Sequence, residues 1–163
     1  MTGTFGARWF LASTPATVGV ARHRALAQLR AWGFILDRDA ASTLALLVSE
    51  LVTNAVLHGR GDFVTIGMCV GGEEVFIEVL DAAQECPGLR EAEPDDESGR
   101  GMFLVDTLAA SWGIERTPRG KAVWLTYRLP EQPTRTRQRR RADVLGALIR
   151  KARPRIYVTA VAA

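Results

Sequence analysis

The chain has 163 residues, 47% of them hydrophobic and 24% charged, which suits one domain with a sizeable core and leaves little room for two. No run approaches the roughly 20 apolar residues of a membrane-spanning helix, and the opening MTGTFGARWFLASTP lacks the basic start and apolar stretch of a secretory leader. The net charge of +3 conceals two unlike parts: residues 131–163 carry nine basic and two acidic side chains, net +7, whereas residues 1–130 carry 12 basic and 16 acidic, net −4.

In chain order, the first predicted element is a strand over residues 8–12 (RWFLA). Ser13-Thr14-Pro15 supplies a cap and a proline at the first helical position. Val18, Val20, Ala21, Ala25, Leu26 and Leu29 then carry a helical period to about Trp32, and Gly33 stops it. Asp37 or Asp39 can cap a second helix, which runs through 44–57 and ends at His58-Gly59. FVTIGMCV and EVFIEVL, separated by Gly71-Gly72, predict a β-hairpin.

Residues 82–100 hold proline, glycine and six acids (Glu85, Glu91, Glu93, Asp95, Asp96, Glu97) with no apolar period, and predict a long loop, of a length that is usually functional or disordered. Gly99-Arg100-Gly101 then opens an apolar helix over 102–109. Strands over 112–116 and 122–129 follow, joined by a turn at Pro118-Arg119-Gly120. Strands reached mostly without intervening helices favour an α+β fold, a two-layer sandwich whose mixed, mostly antiparallel sheet is covered on one face by helices. The domain is expected to span 1–130. Residues 131–163 are read as a basic appendage, solvated or holding a short amphipathic helix around Val144, Leu145, Leu148 and Ile149. Cys69 and Cys86 lack metal-ligand spacing and read as reduced thiols of a cytoplasmic protein. Arginine outnumbers lysine 19 to 2, which points to a GC-rich genome rather than to a function.

The stretch SELVTNAVLHG, residues 49–59, breaks an otherwise apolar helix. At 100° per residue Leu44, Leu47, Val48, Leu51, Val52 and Ala55 form one stripe, with Glu50, Asn54 and His58 along its edge and Ser49 and Thr53 on the solvent side. The row suits the wall of a pocket, and equally the polar rim of an ordinary amphipathic helix. Asp81 ends an apolar strand beside the long loop, where it suits either a ligand contact or an Asx turn. The GRG before a helix suits phosphate, through free backbone N–H groups and the helix dipole, or a plain turn. GKAVWLTYRL reads as a tight turn and a core strand.

In this order and spacing, ELVTNAVLHG, Asp81 and GRGMFLV resemble the N-box and the two glycine boxes of the GHKL ATPase superfamily (gyrase, heat-shock chaperone, histidine kinase and mismatch-repair ATPases). The closest likeness is its small single-domain branch, the bacterial anti-sigma-factor serine kinases, over residues 8–129. The resemblance implies the Bergerat fold, ATP and Mg²⁺ as cofactors, and a set of roles. Asn54 would coordinate Mg²⁺, and Glu50 would orient or deprotonate the attacking hydroxyl. Asp81 would accept from the adenine amino group. Gly99, Gly101 and Met102 would bring backbone to the phosphates, with Arg100 as a further charge partner, and the acidic loop would be the ATP lid. One position departs: the family places glycine two residues after the aspartate, and this chain has Ala83.

The expected function is a serine/threonine kinase that phosphorylates an anti-sigma-factor antagonist and binds a sigma factor, with homodimers usual among such relatives. The presence of Glu50 with Asn54 favours that reading. Ala83 favours a nucleotide-dependent binding module without phosphotransfer. A third reading gives the basic tail the active part, on nucleic acid or an anionic membrane.

Overall fold

The computed structural model describes residues 6–83 and 97–132, with side chains in the second stretch from Gly101 onward. Its elements are β1 (Gly6–Ala12), α1 (Pro15–Ala31), α2 (Arg38–His58), β2 (Phe63–Gly71), β3 (Glu74–Asp81), α3 (Glu97–Leu108), β4 (Ser111–Thr117) and β5 (Gly120–Arg128). The strands form one sheet in the order β1-β2-β3-β5-β4. Every described pairing is antiparallel, so the expected α+β sandwich holds without the parallel pair that a mixed sheet would contain.

Alternation decides which face is buried. On β2, Val64, Ile66, Met68 and Val70 point inward; Val75, Ile77 and Val79 do so on β3, and Val123 and Leu125 on β5. The helices supply the other half of the core through Ala21, Ala25 and Leu29 of α1 and the whole predicted stripe of α2. Pro15 opens α1 at its first helical position after Thr14, whose side chain makes no capping bond to the backbone. Asp37, rather than Asp39, caps α2 by accepting from the Ala40 N–H at 2.7 Å.

By length and composition α2 is apolar enough to cross a membrane, with a mean hydropathy of 1.6. A count of uninterrupted apolar residues passes over it, because Glu50, Thr53 and Asn54 break the run. In this fold the apolar stripe is spent on the core. Ser49 and Thr53, expected on the solvent side, are half-buried, and Ser49 Oγ donates back to the Ala45 carbonyl at 2.8 Å.

The outer sheet face has its own order. Glu78, buried on that face, reaches across Gly67 to Arg8 at 3.0 Å, and a side chain at Gly67 would stand 2.8 Å from the Glu78 carboxylate. Trp124 lies over Gly113 in the same manner and stacks on Phe76.

The largest departure from expectation is α3. It starts at Glu97, five residues before the predicted Met102, and takes Gly99, Arg100 and Gly101 into its first turns. The two glycines masked this, since each disfavours a helix interior by about 1 kcal/mol relative to alanine; packing against α2 outweighs them. The remaining acidic loop over 84–96, with Cys86, lies outside the described residues, as does the tail from 133. Among residues of that C-terminal segment, Gln132 is described: its side chain brackets Ile35, accepting from the backbone N–H at 2.7 Å and donating to the carbonyl at 3.0 Å.

Candidate functional site

Four-residue spacing on α2 puts Glu50, Asn54 and His58 in one row, and its first two members face α3. Glu50 Oε2 lies against Gly101, where any Cβ would collide with it. One turn along, Asn54 Nδ2 approaches Met102 Sδ at 4.0 Å. His58 is exposed at the end of the helix. Glu50 and Asn54 are half-buried, and burial lifts the Glu50 carboxyl above the ordinary glutamate range. A carboxylate so placed is a better proton acceptor near neutrality than one in water.

Gly101 therefore has a role that the motif alone does not show. It is the fifth residue of α3, past the four N–H groups that a helix leaves unpaired, whereas Gly99 is within them. The missing Cβ at 101 makes room for the Glu50 carboxylate. Gly101→Ala is expected to leave stability unchanged or raise it by up to about 1 kcal/mol through helix propensity. It should also push the carboxylate into water and return the Glu50 pKa towards its ordinary value. An NMR titration of the Glu50 side chain checks this; an unchanged pKa would show that the carboxylate stays where it is.

The other end of α2 closes on Asp81. Gly59 ends the helix with extended backbone, φ −71° and ψ 163°, so the usual left-handed glycine stop is not what requires it. Closeness requires it: a Cβ there would strike the Ala55 carbonyl and stand 3.0 Å from Asp81 Cβ. The Ala82 N–H donates to the Arg60 carbonyl at 3.2 Å, and so ties the end of β3 to the chain leaving α2.

Asp81 is buried, and its two oxygens have different surroundings. Oδ1 accepts from the Ala83 N–H at 2.8 Å, the Asx turn that its position allowed. Oδ2 stands 3.4 Å from Lys121 Nζ, the cross-strand partner on β5, with both side chains 1% exposed. Neither Oδ2 nor Nζ has a hydrogen-bond partner among the described residues. Sequence reading missed Lys121. The available signal was its period: Lys121, Val123 and Leu125 share the inward face of β5. Ala83, where the family pattern has glycine, is buried with its backbone N–H already engaged by Asp81.

The polar groups are thus strung along α2, with Asp81 and Lys121 beside its C-terminal end and Glu50 nine residues back, about 14 Å along the axis. That span suits a ligand with a base at one end and phosphates at the other. Among the described residues no three of His, Cys, Asp and Glu gather as a metal site. A divalent cation at Asn54 would then take most of its ligands from phosphate oxygens and water, as Mg²⁺ does beside nucleotides. The side chain of Arg100 is not among those described.

A family model, the histidine kinase-like ATPase domain, matches residues 11–127. The chain belongs to that family. This histidine kinase-like ATPase domain is similar in fold to the structure of the RsbU and RsbW domains of Rv1364c from Mycobacterium tuberculosis, with a TM-score of 0.59 and 21% identity over 80% of the chain. It spans 34% of that protein's chain. The histidine kinase domain of the blue-light-activated kinase EL346 from Erythrobacter litoralis matches more loosely, with a TM-score of 0.40 and 23% identity over 63% of this chain and 48% of its own. No curated protein matches this chain.

Proposed function

We propose that the chain binds ATP with Mg²⁺ and acts as a serine/threonine kinase on an anti-sigma-factor antagonist, and that it also binds a sigma factor. The observation that carries this reading is the Glu50–Asn54 pair, one turn apart on α2 and set against Gly101 and Met102 of α3, with the Glu50 carboxyl raised by burial. Family membership and the fold likeness to an RsbW domain support it.

When bound, ATP supplies the phosphoryl group and Mg²⁺ offsets the charge on its oxygens. The chain's own residues do the rest. Asn54 offers a neutral side-chain oxygen to the cation, and its Nδ2, turned to Met102, fixes the amide. Glu50 would orient the incoming hydroxyl and take its proton as the O–P bond to the γ-phosphorus forms and the bond from that phosphorus to the departing ADP breaks. Gly99 contributes an unpaired backbone N–H from the first turn of α3, where the helix dipole favours phosphate. Arg100 adds a further charge. Asp81, at the far end of α2, meets the adenine base.

The test is metal dependence. Mg²⁺ should tighten ATP binding to the native chain about tenfold or more, which is about 1.4 kcal/mol or more. It should hardly tighten binding to Asn54→Ala. Isothermal titration with and without Mg²⁺ decides this, and equal dependence in both proteins would remove Asn54 as the metal ligand. Ala83 favours a second reading, in which nucleotide only sets the shape of a partner surface; ATP binding without transfer to any antagonist would establish it.

A further inference from the structure

A buried lysine is an expensive residue. Its ammonium has three donors and no acceptor, and taking it out of water costs several kcal/mol unless charge and hydrogen bonds compensate. Lys121 is among the largest fully buried side chains of this protein, and among the described residues the charged group beside it is Asp81 Oδ2 at 3.4 Å. Neither atom has a hydrogen-bond partner among the described residues. Asp81 Oδ1 is already taken by the Ala83 N–H, so the free functions at this place are one acceptor and one ammonium, side by side.

The backbone holds the two together. Asp81 and Lys121 are directly paired residues of β3 and β5, and the next residue back, Gly120, has φ 142° and runs so close to this corner that a Cβ on it would strike the Asp81 carbonyl and the Ala82 backbone. A pair this rigid and this incompletely satisfied fits a ligand edge that has an acceptor next to a donor. Resting on the ATP reading above, we infer that Lys121 is a specificity-determining residue for the nucleobase. Its Nζ donates to N1 of adenine while Asp81 Oδ2 accepts from the 6-amino group.

The chemistry distinguishes purines by order. Adenine carries its donor at position 6 and its acceptor at N1; guanine has an acceptor at position 6 and a donor at N1. An ammonium at N1 and a carboxylate at the 6-position therefore suit adenine and oppose guanine twice. Both protein atoms are shut from water, where charge-assisted hydrogen bonds are strongest. A purely structural ion pair would make none of these distinctions between ligands.

The experiment is equilibrium nucleotide binding to the full chain with Mg²⁺ present, using ATP, 1-deaza-ATP, 7-deaza-ATP and GTP. The native protein should bind 7-deaza-ATP as well as ATP, and 1-deaza-ATP and GTP about tenfold or more weakly. Lys121→Met keeps the length of the side chain and removes the donor. In that variant ATP should weaken to the level of 1-deaza-ATP, and the two should become indistinguishable. Equal affinity of the native protein for ATP and 1-deaza-ATP would overturn the inference while leaving ATP binding intact, and this arm needs no variant to fold. A gain in ATP affinity on Lys121→Met would also overturn it, by showing that the ammonium blocks Asp81. Failure of the native protein to bind any of the four would remove the ATP reading and the inference with it.

Discussion

Glu50→Gln is expected to lower phosphoryl transfer to the antagonist by about 10²–10⁴-fold while leaving ATP affinity nearly unchanged. That range corresponds to about 3–5 kcal/mol of barrier. The substitution keeps the shape beside Gly101 and some hydrogen bonding, but an amide cannot take the hydroxyl proton. Phosphoryl transfer asks little covalent chemistry of a protein, so positioning and charge stabilisation by the remaining groups should sustain the residual rate. The pH profile supplies a second readout. Burial raises the Glu50 pKa, and only the deprotonated form can act as base, so the native rate should climb as pH rises through that elevated value and fall below it. In Glu50→Gln this limb should vanish. A variant that transfers phosphate at the native rate, with the native profile, would show that Glu50 is not the base.

Gly120→Ala should be among the most destabilising single changes in the protein, at about 3 kcal/mol or more. Two independent causes add. At φ 142° an L side chain is strained, which costs on the order of 1–3 kcal/mol. The new methyl would also collide with the Asp81 carbonyl and the Ala82 backbone. Main chain cannot step aside as the tip of a side chain can, so relief would require parting the β3–β5 ladder at the Asp81–Lys121 pair. Denaturant unfolding should show a lower midpoint with an unchanged slope. The surviving folded protein should also bind nucleotide less well, because the same shift moves Asp81. A stability within 0.5 kcal/mol of native, the ordinary range for a harmless surface change, would show that this corner adapts more freely than its contacts imply.

The two predictions concern opposite ends of one candidate site, and those ends were unequally legible. The Glu50–Asn54 row could be read from SELVTNAVLHG because helical geometry is local: a four-residue spacing fixes which side chains share an edge, whatever they later face. The hairpin of β2 and β3 was equally accessible, through β-rich runs divided by Gly71-Gly72, and Gly72 indeed takes a positive φ of 65°. Asp81 was placed correctly at the end of its strand, and its Oδ1 closes the Asx turn that was one of the two readings weighed for it.

Three features depended on contacts between residues far apart in the chain. The early start of α3 contradicts the local cost of two glycines, and packing against α2 decides it. The fit of Gly101 to Glu50 joins residues 51 positions apart, so neither neighbourhood announces it. Lys121 stood between a predicted turn and a predicted core strand over 122–129, and its partner lies 40 positions earlier across a ladder whose register no local pattern specifies. The sequence by itself determined the elements, the buried stripe of α2 and the polar row on its rim, because these follow from side-chain period and backbone preference within a few residues. Only the tertiary structure decided what that row faces and which cation meets Asp81. Strand register and helix packing are settled by the sum of core burial over the whole sheet, and the chemistry of the site is set by where that sum places individual atoms.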